Sequence, residues 1–144
     1  MTIMQVLYTA EARATGDGRD GHVTTSDGTF ELDLAVPTEM GGAGGATNPE
    51  QLFAAGYAAC FHSALRLVAR QAKVDVTGST VDARVGIGPN GSGGYGLTVA
   101  LTVDLPAVDR ETAQQVVEKA HQVCPYSNAT RGNIDVALVL GETR

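Results

Sequence analysis

The sequence predicts an α+β domain in which antiparallel sheets pack around a long buried helix, in the order βββαββαβ. Two observations carry this. Short runs of alternating apolar residues, bounded by turn formers, recur on both sides of the chain. Between them lies one unbroken apolar stretch, Asn48 to Gln71, with the end signals of a helix. At 144 residues the chain is most simply one domain, 1–144, long enough to bury a sizeable core.

Val6 to Ala12 alternates as a first strand, and the turn-rich Thr15 to Gly21, TGDGRDG, breaks it and carries Arg19. His22 to Ser26 and Phe30 to Val36 read as two further strands joined through Asp27-Gly28, a strong hairpin signal. Phe30, Leu32, Leu34 and Val36 share one apolar face. Pro37 ends the strand, and Met40 to Thr47, MGGAGGAT, reads as a flexible loop. Its glycines do not form a phosphate loop, because no Lys-Ser/Thr pair follows them.

The helix then opens with Asn48 as a cap, Pro49 at the first helical position, Glu50 at the positive end and Gln51 where a capping box wants it. From Leu52 to Ala64 almost nothing is charged on any face. A helix apolar all round, and too short to span a bilayer comfortably, is expected to be buried in protein. Ala54, Ala55, Gly56, Ala58 and Ala59 stand where Leu and Ile would fill volume, so something is expected to pack very close.

Val81 to Ile87 and Tyr95 to Val103 alternate again across the turn Pro89 to Gly94, giving a second hairpin. A literal GxGxxG at Gly86, Gly88 and Gly91 runs from strand into turn without a following helix, so it is not a dinucleotide motif. Asp109 can cap a second helix through about Val123, with Val116, Val117 and Ala120 as its buried stripe, and Pro125 helps stop it. Ile134, Val136, Leu138 and Leu140 make the last strand.

With 16 acidic against 10 basic residues, the net charge of -6 argues against nucleic acid or a membrane surface as partner. The N-terminus lacks a basic segment followed by an apolar one, so a cytoplasmic location is expected, and with it no structural disulfide. The two cysteines are then either buried fillers or reactive thiols. Cys60 and His62 face opposite sides of a helix and no CxxC pair occurs, so neither a metal nor another cofactor is expected.

Three separated stretches carry a family likeness: GRDG at Gly18 to Gly21, NPEQLFAAGYAACF at Asn48 to Phe61, and VCPYSNATRGNIDV at Val123 to Val136. They closely resemble the organic hydroperoxide resistance proteins, the Ohr branch of the OsmC/Ohr family, and the resemblance spans nearly the whole chain. It implies a thiol peroxidase that reduces organic hydroperoxides to alcohols, folded as an intertwined homodimer. By this resemblance Cys60 is the peroxidatic cysteine, Cys124 resolves it, and Arg19 and Glu50 tune the site. The implied reductant is dihydrolipoamide, carried on lipoylated proteins, rather than thioredoxin. Rival readings are the OsmC branch, which would share the chemistry, and a non-enzymatic redox sensor or lipophilic-ligand module. The sequence offers no DNA-binding helix or basic patch for sensor output, and CPYSNATRGN favours Ohr.

The chemistry is coherent with those residues. Only a thiolate attacks a peroxide, and burial in an apolar helix would keep Cys60 protonated unless a cation offsets it. Arg19 can stabilise the thiolate and donate to peroxide oxygens in one plane, with Glu50 pairing to hold it. The plain alternatives are a solvated turn arginine and a glutamate that serves only the helix dipole. Phe53, Tyr57 and Phe61, with Met40 and Tyr126, would favour greasy peroxides over hydrogen peroxide, or else be ordinary core. Glu50 and Cys60 lie ten residues apart, about 15 Å along a straight helix. They can share a compact site if the helix kinks near Gly56, or if two antiparallel copies cross at Ala54 to Gly56 and Glu50 is given in trans.

Overall fold

The computed structural model describes residues 4–144, which fall into two units, one up to Pro49 and one from Glu50 to Arg144. In the first, β1 (Ala12–Thr15), β2 (His22–Thr25) and β3 (Glu31–Asp33) form an antiparallel sheet in that order. Ala12 pairs with Thr25 and Thr15 with His22, while His22 and Thr24 pair with Asp33 and Glu31. The first strand thus begins where the alternating run from Val6 was expected to end. Val6, Leu7 and Tyr8 are 61%, 91% and 80% exposed, because among the described residues no strand lies beside them to make their alternation count.

The turn before β3 uses the expected dipeptide. Gly28 adopts a φ of 73°, and the Asp27 carboxylate accepts from the Thr25 hydroxyl at 2.7 Å and the Thr29 N–H at 3.0 Å. β3 is shorter than the predicted Phe30 to Val36; beyond it Leu34 makes an isolated bridge to Thr47 and donates its N–H to the Gly21 carbonyl at 2.9 Å. The Arg19 turn is a single 3-10 turn, Gly18–Asp20, and the Asp20 carboxylate accepts from the Val36 N–H at 2.9 Å. A side chain at Gly21 would meet the Thr15 carbonyl at 2.2 Å, so this crossing of backbones requires glycine. The Gly-rich loop, expected to be flexible, is instead folded back on itself. Gly42 N–H bonds to the Pro37 carbonyl at 3.1 Å and Gly44 N–H to the Val36 carbonyl at 2.9 Å.

The helix α1 runs Pro49–Ala72, one residue offset from the expected span. Tyr57, Phe61, Ala64, Leu65, Val68 and Ala69 form its buried stripe, spaced at three and four residues as a single helix face requires. Burying each of the larger ones contributes roughly 1.5–3 kcal/mol. All-round burial does not occur within the chain: Ala55, Ala59, Ser63, Arg66 and Leu67 are exposed. One sheet can cover only one face of a helix, whatever the composition of the other. By length and composition alone α1 would also pass for a membrane span, but its stripe is packed into the core.

The second sheet contains β4 (Thr80–Pro89), β5 (Tyr95–Leu105) and β6 (Val136–Thr143), in that order. β4 and β5 pair antiparallel from Thr80↔Asp104 to Pro89↔Tyr95. Val99, Leu101, Val103 and Leu105 point into the core at 3% exposure or less, with the predicted period of two. β6 departs from the antiparallel expectation and pairs parallel to β5, Val99↔Val136 through Val103↔Leu140. The cause is the helical excursion between them, which carries the chain from the end where β5 leaves the sheet back towards the end where β5 began, as a crossover to a parallel strand must.

That excursion begins with α2 (Arg110–Val123), where the Asp109 side chain accepts from the Thr112 N–H at 3.1 Å as a cap. Ala113, Val116, Val117 and Ala120 are its buried stripe. Pro125 does more than stop it. Cys124 takes φ -60° and ψ 122°, the extended conformation imposed on a residue before proline, and Pro125 then opens a further short helix, α3 (Pro125–Thr130), absent from the predicted order.

Candidate active site

The two cysteines, 64 residues apart in sequence, meet: Cys124 donates its S–H to the Cys60 sulfur across 3.4 Å. Both are free thiols. Cys60 lies near the middle of α1 and is half-buried, while Cys124, at the bend between α2 and α3, is 0% exposed. The bend is held on both sides, by the Cys124 N–H on the Ala120 carbonyl at 2.8 Å and the Asn128 N–H on the Cys124 carbonyl at 3.0 Å. A disulfide needs about 2.05 Å between sulfurs, so little more than an ångström separates this arrangement from a bond.

Burial pushes the Cys60 thiol above its ordinary value; the Tyr126 backbone N–H opposes this, and the neighbouring Cys124 adds to the rise. On these contacts alone Cys60 is protonated at neutral pH. Arg19 is half-buried in its turn in the first unit, and Glu50 is half-buried in the first turn of α1. The helix α1 is unbroken from Pro49 to Ala72, which sets Glu50 and Cys60 of one chain about 15 Å apart along its axis.

Gly56 has a close neighbour within its own chain. A Cβ there would come within 3.0 Å of the Tyr126 hydroxyl oxygen and 3.2 Å of its ring, so the close packing predicted for this part of α1 is made within the chain. Tyr126 also joins Phe53 and Tyr57 in a mutual aromatic cluster, with ring centroids 5.6 to 6.1 Å apart. Phe53 and Tyr126 line a cavity of about 420 Å³ together with Ala129, Thr130, Asn133 and Ile134. Tyr57 and Phe61, both 0% exposed, belong to the core rather than to this lining. Met40, 43% exposed, lies in the first unit.

Sequence reading missed the polar side of the site. The Tyr57 hydroxyl lies 2.8 Å from Ser127 Oγ and 3.2 Å from Thr130 Oγ1, and His121 Nδ1 lies 2.8 Å from the same Ser127 oxygen. Burial, followed by the charge of Arg131, holds His121 below its ordinary value. The available signal was the run SNAT, Ser127 to Thr130, three residues after Cys124, which composition alone does not distinguish from a loop. Elsewhere His62 Nε2 pairs with Ser79 Oγ at 2.9 Å, facing away from the chemistry.

A helix-on-sheet α+β domain with two free thiols in contact is the arrangement found in proteins that cycle between a dithiol and a disulfide. The model of the OsmC-like protein family matches residues 42–139. An organic hydroperoxide resistance protein of Xanthomonas axonopodis pv. citri is 56% identical over 138 residues, covering 94% of this chain and 96% of that protein. The crystal structure of an organic hydroperoxide resistance protein from Legionella pneumophila is 51% identical with a TM-score of 0.91, covering 95% of this chain and 99% of its own. That of OhrB from Bacillus subtilis is 45% identical with a TM-score of 0.85, covering 94% and 100%. The chain belongs to the OsmC/Ohr family, in its organic hydroperoxide resistance branch.

Proposed function

We propose that this chain is a cysteine-based peroxidase that reduces organic hydroperoxides to alcohols. The single observation that carries the reading is the 3.4 Å contact between Cys60 and Cys124, two free thiols placed one step from a disulfide. The Cys60 thiolate attacks the outer oxygen of the hydroperoxide; the O–O bond breaks, and the alkoxide leaves as the alcohol after taking a proton. Cys60 is then a sulfenic acid. Cys124 attacks its sulfur, water departs with the sulfenic oxygen, and the Cys60-Cys124 disulfide remains. A dithiol of the dihydrolipoamide type, free or on a lipoylated protein, returns both cysteines to thiols by exchange.

In this reading Arg19 supplies the positive charge that the buried Cys60 needs to ionise, and Glu50 orients Arg19. Phe53 and Tyr126 present the apolar cavity to the organic part of the substrate, with Tyr57 and Phe61 as its packed backing; Met40 is proposed as a further apolar contact for the substrate. The working unit is a homodimer. Its support is the exposed apolar stripe of Ala55, Ala59 and Leu67 on α1, together with the distance between Glu50 and Cys60 of one chain, which calls for a Glu50 supplied by a second copy.

Turnover assays test this directly, comparing an alkyl or lipid hydroperoxide with hydrogen peroxide, and dihydrolipoamide with thioredoxin. The expected result is dihydrolipoamide-dependent reduction that is fastest with the organic substrates. No turnover of any hydroperoxide with either reductant would overturn the assignment and favour a thiol sensor.

A further inference from the structure

Beside the two thiols runs a second tie with the same spacing. Tyr57 precedes Cys60 by three residues on α1, Ser127 follows Cys124 by three on α3, and their hydroxyl oxygens are 2.8 Å apart. The thiol contact and this hydroxyl contact therefore join the same two segments about one helical turn apart. Tyr57 and Ser127 are both 0% exposed and Thr130 is 5% exposed, so these groups must satisfy one another.

Counting hydrogens gives the network a direction. Thr130 Oγ1 donates to the Ser127 carbonyl at 3.1 Å, which uses its only hydrogen. The Tyr57 hydroxyl, 3.2 Å from that oxygen, must then be the donor between them. With its hydrogen spent, Tyr57 can only accept from Ser127 across their 2.8 Å contact. Ser127 has nothing left to give His121, so the proton between them sits on His121 Nδ1, which donates across 2.8 Å. The order is His121 Nδ1–H to Ser127, Ser127 to Tyr57, Tyr57 to Thr130, and Thr130 to the Ser127 backbone. Breaking one link leaves a buried polar atom without its partner. His121 is anchored in turn by Arg131, which donates one guanidinium nitrogen to the His121 carbonyl and another to Asn128 Oδ1 at 2.6 Å.

We infer that His121, Ser127 and Tyr57 are positioning residues for the thiol pair: their one-way hydrogen-bond chain clamps α3 to α1 and keeps Cys124 within reach of Cys60. The inference rests on the two-thiol redox reading above but not on peroxide as the oxidant. His121 holds neither substrate nor sulfur; it acts through Ser127.

Two measurements test it. In the reduced wild-type protein, nitrogen-15 NMR of neutral His121 should show Nδ1 protonated and Nε2 bare, the reverse of the preference of a free imidazole. A proton on Nε2 instead would overturn the chain. The second is the equilibrium of the Cys60-Cys124 pair with dithiothreitol, in which the two protein thiols pass two electrons and two protons to the cyclic disulfide and become a disulfide themselves. Ser127→Ala and Tyr57→Phe should each weaken the protein disulfide roughly tenfold, about 30 mV for a two-electron couple. His121→Asn, whose amide nitrogen can stand in for Nδ1, should keep most of the wild-type value, whereas His121→Gln should not. A lowered Tm with an unchanged redox equilibrium in Ser127→Ala would reduce the network to packing and overturn the inference. Absent peroxide turnover alongside the expected redox shifts would instead sink the peroxidase reading and leave the positioning role standing.

Discussion

Gly56 and Tyr126 occupy adjoining space: the position a Cβ would take at residue 56 is 3.0 Å from the tyrosine hydroxyl oxygen. Gly56→Ala therefore sets two effects against each other. Alanine is better in a helix by about 1 kcal/mol, while crowding the tyrosine costs up to a few. Since Tyr126 is 40% exposed, its ring can swing outward, so the net loss of stability should stay below about 2 kcal/mol in thermal unfolding. The cavity that Tyr126 shares with Phe53 will change shape, and KM for a bulky organic hydroperoxide should move more than kcat. An unchanged KM would detach this cavity from substrate binding.

Cys60→Ser should abolish turnover, since in the proposed site no other nucleophile has Arg19 beside it to hold it ionised. Cys124→Ser should leave the first attack intact but strand the sulfenic acid, so that excess peroxide drives Cys60 to the sulfinic and sulfonic states. Mass spectrometry after peroxide treatment reads both. A stable Cys60 thiol in the Cys124 variant, with no disulfide in the wild type, would reverse or remove the proposed roles.

Arg19→Lys keeps a charge but loses the planar set of donors, and should lose at least tenfold in rate, about 1.4 kcal/mol of transition-state stabilisation. The pH profile of Cys60 alkylation separates the two contributions. Burial and Cys124 raise the Cys60 pKa, so without a cation the thiolate appears only as pH climbs past the ordinary thiol value. The Arg19→Ala midpoint should lie on that alkaline side, the wild-type midpoint well below it, and Arg19→Lys near wild type. Coincident wild-type and Arg19→Ala profiles would remove Arg19 from the site.

Glu50 in trans predicts complementation. In a mixed dimer of Glu50→Ala and Cys60→Ser chains, one site would carry both changes and the other would be intact. Mixing two inactive variants under subunit exchange should therefore restore activity above either parent, towards half of wild type in each mixed dimer. No recovery in dimers verified to be mixed would place Glu50 in its own chain's site or outside it altogether.

Local end signals explain what could be read in advance. Pro49 and Asp109 marked the starts of α1 and α2 because caps and first-turn residues act within a few positions. The β4 and β5 hairpin was equally legible, since period-two alternation met one buried face. What escaped was decided at a distance. Val6 to Tyr8 alternates like a strand yet has no strand of the described chain beside it, and β6 runs parallel because of where a crossover ends rather than what its residues are. Cys60, Cys124, Arg19 and Glu50 were named through family likeness, while the hydroxyl chain through Ser127 has no such motif and needed coordinates.

The proline after Cys124 also sets a rule for how this chain can vary. A residue ahead of proline is kept out of the α conformation, so α2 and α3 cannot fuse into one rod while Pro125 remains. The thiol consequently sits at a corner whose backbone is set by one covalent ring, while the hydrogen bonds around it hold that corner against α1. Insertions and deletions in the connection between α3 and β6 leave this proline in place. Shifting the proline by a single position would instead let position 124 wind into the helix, and rotate its side chain by about a quarter turn or more away from its partner.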